Sequence, residues 1–185
     1  FHLGSGPIAD AFFVAFRIPN TFRRLFSEGT FNAAFVPSYS SELIRGKEKG
    51  RKFANQIFNL LLISLLIIVT IVEILMPGFI YLLAPGFKGN PDKIELTIFL
   101  TRLTFPFLIF VSLASFFSAI LNSHNKFAAA AAAPIILNIL LILVLFYGNY
   151  LNDNLVIYLS IAVSLAGLLQ LVILIIFSRK YYKTK

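Results

Sequence analysis

Ile57-Phe58-Asn59-Leu60-Leu61-Leu62-Ile63-Ser64-Leu65-Leu66-Ile67-Ile68-Val69-Thr70-Ile71-Val72-Glu73-Ile74-Leu75-Met76-Pro77-Gly78-Phe79-Ile80-Tyr81-Leu82-Leu83 contains a single charge, Glu73, in twenty-seven residues. At about 1.5 Å per residue such a run, as a helix, exceeds a hydrocarbon core of roughly 30 Å. A strand reading fails, because the run lacks period-2 alternation and an apolar chain in lipid must satisfy its own backbone. Three further blocks of the same kind follow, at about 96–121, 127–147 and 155–177. Composition agrees: 58% of the 185 residues are hydrophobic and 13% charged, against about 25% charged in soluble domains. A soluble enzyme, a nucleic-acid-binding domain and a disordered tail are excluded. With no Cys and two His, disulfides, thiolate metal sites and cysteine nucleophiles are excluded too.

The blocks are joined by short links with turn chemistry. Ala84-Pro85-Gly86-Phe87-Lys88-Gly89-Asn90-Pro91-Asp92 stops one helix and leads into the next, and the links near 122–126 and 148–154 are similarly polar. Short links make neighbouring spans antiparallel. The net charge of +8 is unevenly placed. Ten of the sixteen cations fall in the stretches 45–52, 122–127 and 179–185, which share one side if all four blocks cross, whereas Lys88 and Lys93 lie opposite. The positive-inside rule puts the ten-cation side in the cytoplasm. Four cations remain that loops do not explain: Arg17, Arg23, Arg24 and Arg102.

Three of these lie in residues 10–44, too polar for a lipid-exposed span and too aromatic for a loop. This stretch is read as a fifth membrane segment, kinked or discontinuous, with Pro19 and Gly29 as the positions that bend or break it. At 100° per residue Asp10, Arg17, Arg24 and Glu28 lie within about 40° of one another, while Arg23 points elsewhere. Intramembrane charge is expensive, so such a stripe faces a bundle interior or a water-filled cavity. Arginine suits an anionic cargo, because its planar fork matches phosphate oxygens and stays charged. The blander alternatives are an Arg17 that snorkels to an interface and an ordinary i,i+4 pair between Arg24 and Glu28.

The run from Gly4 through Asp10-Ala11-Phe12-Phe13 to Arg17-Ile18-Pro19-Asn20, then Phe22-Arg23-Arg24-Leu25-Phe26-Ser27-Glu28-Gly29 and Phe35-Val36-Pro37, closely resembles the MurJ (MviN) lipid II flippases. Ala84-Pro85-Gly86-Phe87, Thr104-Phe105-Pro106, Ala119-Ile120-Leu121-Asn122, Asn125-Lys126-Phe127, Ala133-Pro134 and Leu137-Asn138 follow in the family's order. The first motif is long and specific, and the similarity covers essentially the whole chain. The resemblance implies an all-α, multi-pass helical bundle, part of a two-lobe, 14-helix transporter of the MOP exporter superfamily. It implies transport of lipid II, the undecaprenyl-pyrophosphate-linked peptidoglycan precursor, from the inner to the outer leaflet of the bacterial inner membrane by alternating access. A central cationic cavity would hold the pyrophosphate. The family's required acidic residue and arginine correspond to Asp10 and Arg23, and its Glu-Gly glutamate to Glu28. The chain would then be part of the N-terminal lobe, with the first helix and the C-terminal lobe lying outside it.

Other readings are a different MOP exporter of polyprenyl-linked oligosaccharide and a membrane-embedded enzyme acting on polyprenyl phosphates. The enzyme reading is weakened because Asp10 and Glu28 would lie about 27 Å apart along an unbroken helix, too far to share a metal. The expectation is therefore a transporter without cofactor, metal or nucleic-acid partner; the sequence does not name a coupling ion. Arg102 and Glu73 read as residues reaching the interface, His124 as a solvated turn residue, Ala128–Ala133 as a packing surface, and Asn138 and Gln170 as interhelical hydrogen-bonding amides.

Overall fold

The computed structural model describes residues 6–27, 30–87, 89–151 and 154–182, and for residues 22–27, 30, 149 and 151 the backbone alone. The described residues form helices α1 (Pro7–Ser27), α2 (Thr30–Ile44), α3 (Lys47–Ile74), α4 (Met76–Leu83), α5 (Pro91–Thr104), α6 (Phe107–Ser123), α7 (Phe127–Ala132), α8 (Ile135–Phe146), α9 (Gly148–Leu151) and α10 (Leu155–Ser178). Among them, four stretches are long and apolar enough to cross a membrane: Lys47–Ile74, Pro91–Ser123, Phe127–Phe146 and Leu155–Ser178. Helices α1 and α2 fall short of that apolarity and pack along the spans instead.

The stretch 45–52 corrects the sequence reading. It was expected to be a loop, but the chain is helical from Lys47 onward. Gly46 makes the turn with a φ of 141°, a backbone region that glycine enters cheaply. Gly50 then lets α3 approach α2, for a Cβ there would lie 2.6 Å from Leu43 Cδ2. A turn this tight needs no polar linker, so Lys47, Lys49, Arg51 and Lys52 sit on the first turns of α3 and Arg45 alone remains in the turn. The first apolar block also divides, ending α3 at Ile74 and restarting as α4 with Pro77 in its first turn.

Helix α5 starts at a well-formed cap. The Asn90 side chain accepts from the Lys93 backbone N–H at 3.0 Å, and Pro91 occupies the first turn, where its missing N–H costs nothing. Pro106 separates α5 from α6. In lipid, hydroxyls on neighbouring helices commonly re-satisfy backbone groups near such a break. Here Ser164 Oγ donates to the Leu103 carbonyl at 2.5 Å. One turn further along α10, Gly167 lies against the Phe107 ring, where a Cβ would come within 2.7 Å.

Helix α6 is the centre of the bundle, touching α1, α2, α3, α7 and α10. Around Phe116 the rings of Phe35, Phe58, Phe117 and Tyr182 lie at centroid distances of 5.2, 5.3, 5.3 and 5.6 Å, tilted or edge-on. Lipid is as apolar as these rings, so close packing rather than the hydrophobic effect joins the helices. Each aromatic pair adds about 0.5–1.5 kcal/mol. On the other side, Ala11 and Ala15 are fully buried and let α1 approach α5, where Thr104 Oγ1 donates to the Ala15 carbonyl at 3.0 Å. The two amides behave differently from expectation. Asn138 is exposed on α8, and Gln170 is buried with Nε2 unpartnered among the described residues, so neither is seen bridging helices.

Candidate functional site

Helix α1 has two faces. Ala11, Phe12, Ala15, Ile18 and Pro19 are buried against the bundle, while Asp10, Phe13, Arg17 and Thr21 are exposed along a stripe of helical period. Pro19 lies inside α1, which continues to Ser27 before the chain starts α2 at Thr30. Glu28 and Gly29 lie outside the described residues, as do the side chains of Arg23 and Arg24, whose backbone is part of α1.

Asp10 meets a partner that the sequence did not signal. Its Oδ2 accepts from Lys93 Nζ at 2.7 Å, and the same ammonium lies 3.9 Å from the centroid of the Phe87 ring. Lys93 is largely covered at 14% side-chain exposure, whereas Asp10 is 58% exposed. The aspartate is thus held from one side and open on the other. The Asn90–Pro91 cap places Lys93 in the first turn of α5; only the packing of α1 on α5 brings it to Asp10. Arg17, two turns along, lines a 370 Å³ cavity with Val14, Ile18, Thr21, Phe79 and Leu83. A guanidinium on the rim of an apolar cleft can bind an anion and cover its hydrocarbon neighbourhood together.

Arg102 of α5 and Glu73 near the end of α3 are brought together. Read separately as interfacial residues, they face each other across α5 and α3 at 3.8 Å, near the limit of an ion pair. His124 departs from its expectation. It is half-buried rather than solvated, stacked on Tyr181 at 4.6 Å and edge-on to Tyr39 at 6.1 Å. Burial lowers its pKa, because an imidazolium there loses water. Nearby, Tyr182 donates to Asn55 Oδ1 at 2.5 Å. Its pKa is pushed up to about 12, first by burial and then by Tyr39, with Arg51 opposing. Among the described residues no group of His, Asp and Glu could hold a metal.

The family model described as "Lipid II flippase MurJ" matches residues 2–184. The chain belongs to the MurJ family. A probable lipid II flippase MurJ of Rickettsia prowazekii (strain Madrid E) is 42% identical over 178 residues, which cover 96% of this chain and 35% of that protein. A second, from Rhizobium tropici, is 45% identical over 179 residues, 94% of this chain and 34% of its own length. A solved structure, a lipid II flippase MurJ in an inward closed conformation, aligns with a TM-score of 0.81 at 26% identity, over all of this chain and 38% of the other. The chain thus spans about a third of the length of the curated relatives it matches. An all-helical MurJ-family bundle with several membrane spans is therefore established, as a portion of a larger transporter fold.

Proposed function

We propose that the full-length protein containing this chain is a lipid II flippase of the bacterial inner membrane, and that the exposed stripe of α1 forms one wall of its substrate path. The observation that carries this reading is the stripe itself: Asp10 and Arg17 are exposed on one face of a helix whose other face is buried in an apolar bundle, within a chain matched to the MurJ family over residues 2–184. Intramembrane charges persist where they face a polar path. The register of the stripe, extended along α1, reaches position 24, whereas position 23 lies off it and enters the proposed cationic wall through the family resemblance alone.

In this reading the arginines bind the pyrophosphate of the polyprenyl carrier through forked, charge-assisted hydrogen bonds. Asp10 keeps a cationic wall from holding its cargo too tightly, and Lys93 fixes the carboxylate on the side away from the path. Net movement requires that the cargo, or an ion coupled to it, bind inward- and outward-facing states unequally. The cations of 45–52, 122–127 and 179–185 favour, by the positive-inside rule, a cytoplasmic side for the ends that bear them. The protein acts as a transporter, not an enzyme.

The test uses full-length protein in cells depleted of their own flippase, reading how much labelled lipid II becomes accessible from outside. Wild type restores exposure; Arg23→Ala and Asp10→Ala, at matched levels in the membrane, lose most of it. A well-inserted wild type that exposes no lipid II would point to another polyprenyl-linked cargo. Full activity of both variants would reject the cationic wall.

A further inference from the structure

The end of the bundle opposite Lys93 holds a cavity of about 560 Å³ that the transport reading does not use. Lys47 and Arg51 of α3 and Lys180 beyond α10 line it, with Glu48 as the one carboxylate. His124, Tyr39 and the Tyr181–Tyr182 pair complete its wall. The placement of the cations is costly. Lys47 and Arg51 stand one helical turn apart on one face, where like charges repel. Both also lie in the first turns of α3, whose backbone dipole already presents positive charge there. An anion seated between them would relieve both penalties. The His124 ring, stacked on Tyr181, forms part of the wall beside these cations.

A second cavity of about 530 Å³ adjoins the first and shares Lys180 and Tyr181 with it. Its other lining is apolar along Leu121, Phe127, Ala128, Ala129 and Phe177, with Asn125 and Lys126 as its polar residues. Phe127 and Phe177 are 57% and 58% exposed on the outside of the bundle. A cationic, aromatic chamber therefore opens at Lys180–Tyr181 onto an apolar groove. A soluble anion would leave the apolar surface of the second uncovered. A molecule with a phosphate head and a hydrocarbon tail fills both.

We propose that Lys47, Arg51 and Lys180, walled by the His124 ring, form a binding site for the phosphate headgroup of an anionic phospholipid, whose acyl chain lies along Phe127, Ala128 and Phe177. The site is separate from the α1 stripe, so it stands or falls independently of the transported cargo. Its occupant ties the start of α3, the α6–α7 turn and the end of α10 together at one membrane surface.

The full-length protein in detergent is titrated with phosphatidylglycerol, phosphatidylcholine or inorganic phosphate, and bound lipid is counted by native mass spectrometry. Phosphatidylglycerol should be retained well above phosphatidylcholine. Lys47→Gln/Arg51→Gln/Lys180→Gln should weaken that retention roughly ten-fold or more. Lys49→Gln/Lys52→Gln/Arg179→Gln removes the same charge from cations that do not line the cavity, and should retain the lipid. Equal retention of phosphatidylcholine, or equal loss in the second variant, would overturn the site. Displacement of phosphatidylglycerol by millimolar inorganic phosphate would make it a soluble-anion site and overturn the lipid. Should the triple variant fail to fold, Arg51→Gln alone against Lys52→Gln decides the same question, with a smaller expected difference.

Discussion

Over one apolar stretch of 18 residues in each, spans α3 and Pro91–Ser123 have mean hydropathies of 2.7 and 2.1, yet 11% of the first stretch and 72% of the second are buried within the bundle. The same contrast separates Phe127–Phe146, at 2.7 and 11%, from α10, at 2.6 and 50%. The less apolar member of each pair is the more buried. Hydropathy measures how readily lipid accepts a helix; it does not say which helix others will pack on. Closeness of approach decides that, and it comes from small and hydroxylated residues. Helix α6 supplies Ser112, Ala114, Ser115 and Ala119, and α10 supplies Ser160, Ala162, Ala166 and Gly167. Most of their hydroxyls return to their own helix, as Ser115 does to Val111 and Ser160 to Val156, so burial leaves little polar demand. Helix α3 presents Leu60, Ile63, Ile67 and Ile71 outward instead.

Truncation should expose the contrast most strongly. Phe116→Ala removes the ring on which Phe31, Phe35, Phe58, Phe117 and Tyr182 converge and should cost about 3–5 kcal/mol of unfolding free energy. Ile67→Ala on the outer face of α3 should stay within about 0.5 kcal/mol. Denaturant unfolding of the full-length protein in detergent measures both. A large loss for Ile67→Ala would break the comparison, showing that α3 faces protein supplied by the rest of the chain. Overpacking comes next. Gly167→Val drives a branched side chain into the Phe107 ring and should cost about 1–3 kcal/mol, whereas Gly78→Ala, where nothing lies within 4 Å of a Cβ, should be nearly silent. The smallest effect is a pH dependence. Burial makes native His124 harder to protonate than in the unfolded chain. Below about pH 6.5 the unfolded state gains a proton that the native state refuses. Stability should therefore fall with acidification, and His124→Phe should show a shallower fall in Tm between about pH 7.5 and pH 5. Identical slopes would mean that the imidazole is not held dry.

Much of this was legible in the residues and some was not, for physical reasons. Apolar runs and their Pro–Gly punctuation reveal spans because lipid imposes the same length on all of them. The start of α3 was hidden, since Lys47 to Lys52 read equally as a solvated loop or as the exposed face of a first turn; Gly46 and Gly50 were the available signals. The stripe on α1 follows from period alone. The Asp10–Lys93 and Glu73–Arg102 contacts do not, because each joins two helices whose mutual rotation is set by packing. His124 was misread because its covering rings, Tyr39 and Tyr181, come from distant parts of the chain.

One small contact divides the labour on α1. Thr104 reaches a backbone carbonyl there, that of Ala15, and beside it the buried positions 11 and 15 are alanines. An anchor of that kind reads the shape of the helix and almost none of its side chains. The outward residues Phe13, Arg17 and Thr21 are consequently uncommitted to holding the helix in place. That half of its surface can change its residues without renegotiating the architecture that carries it.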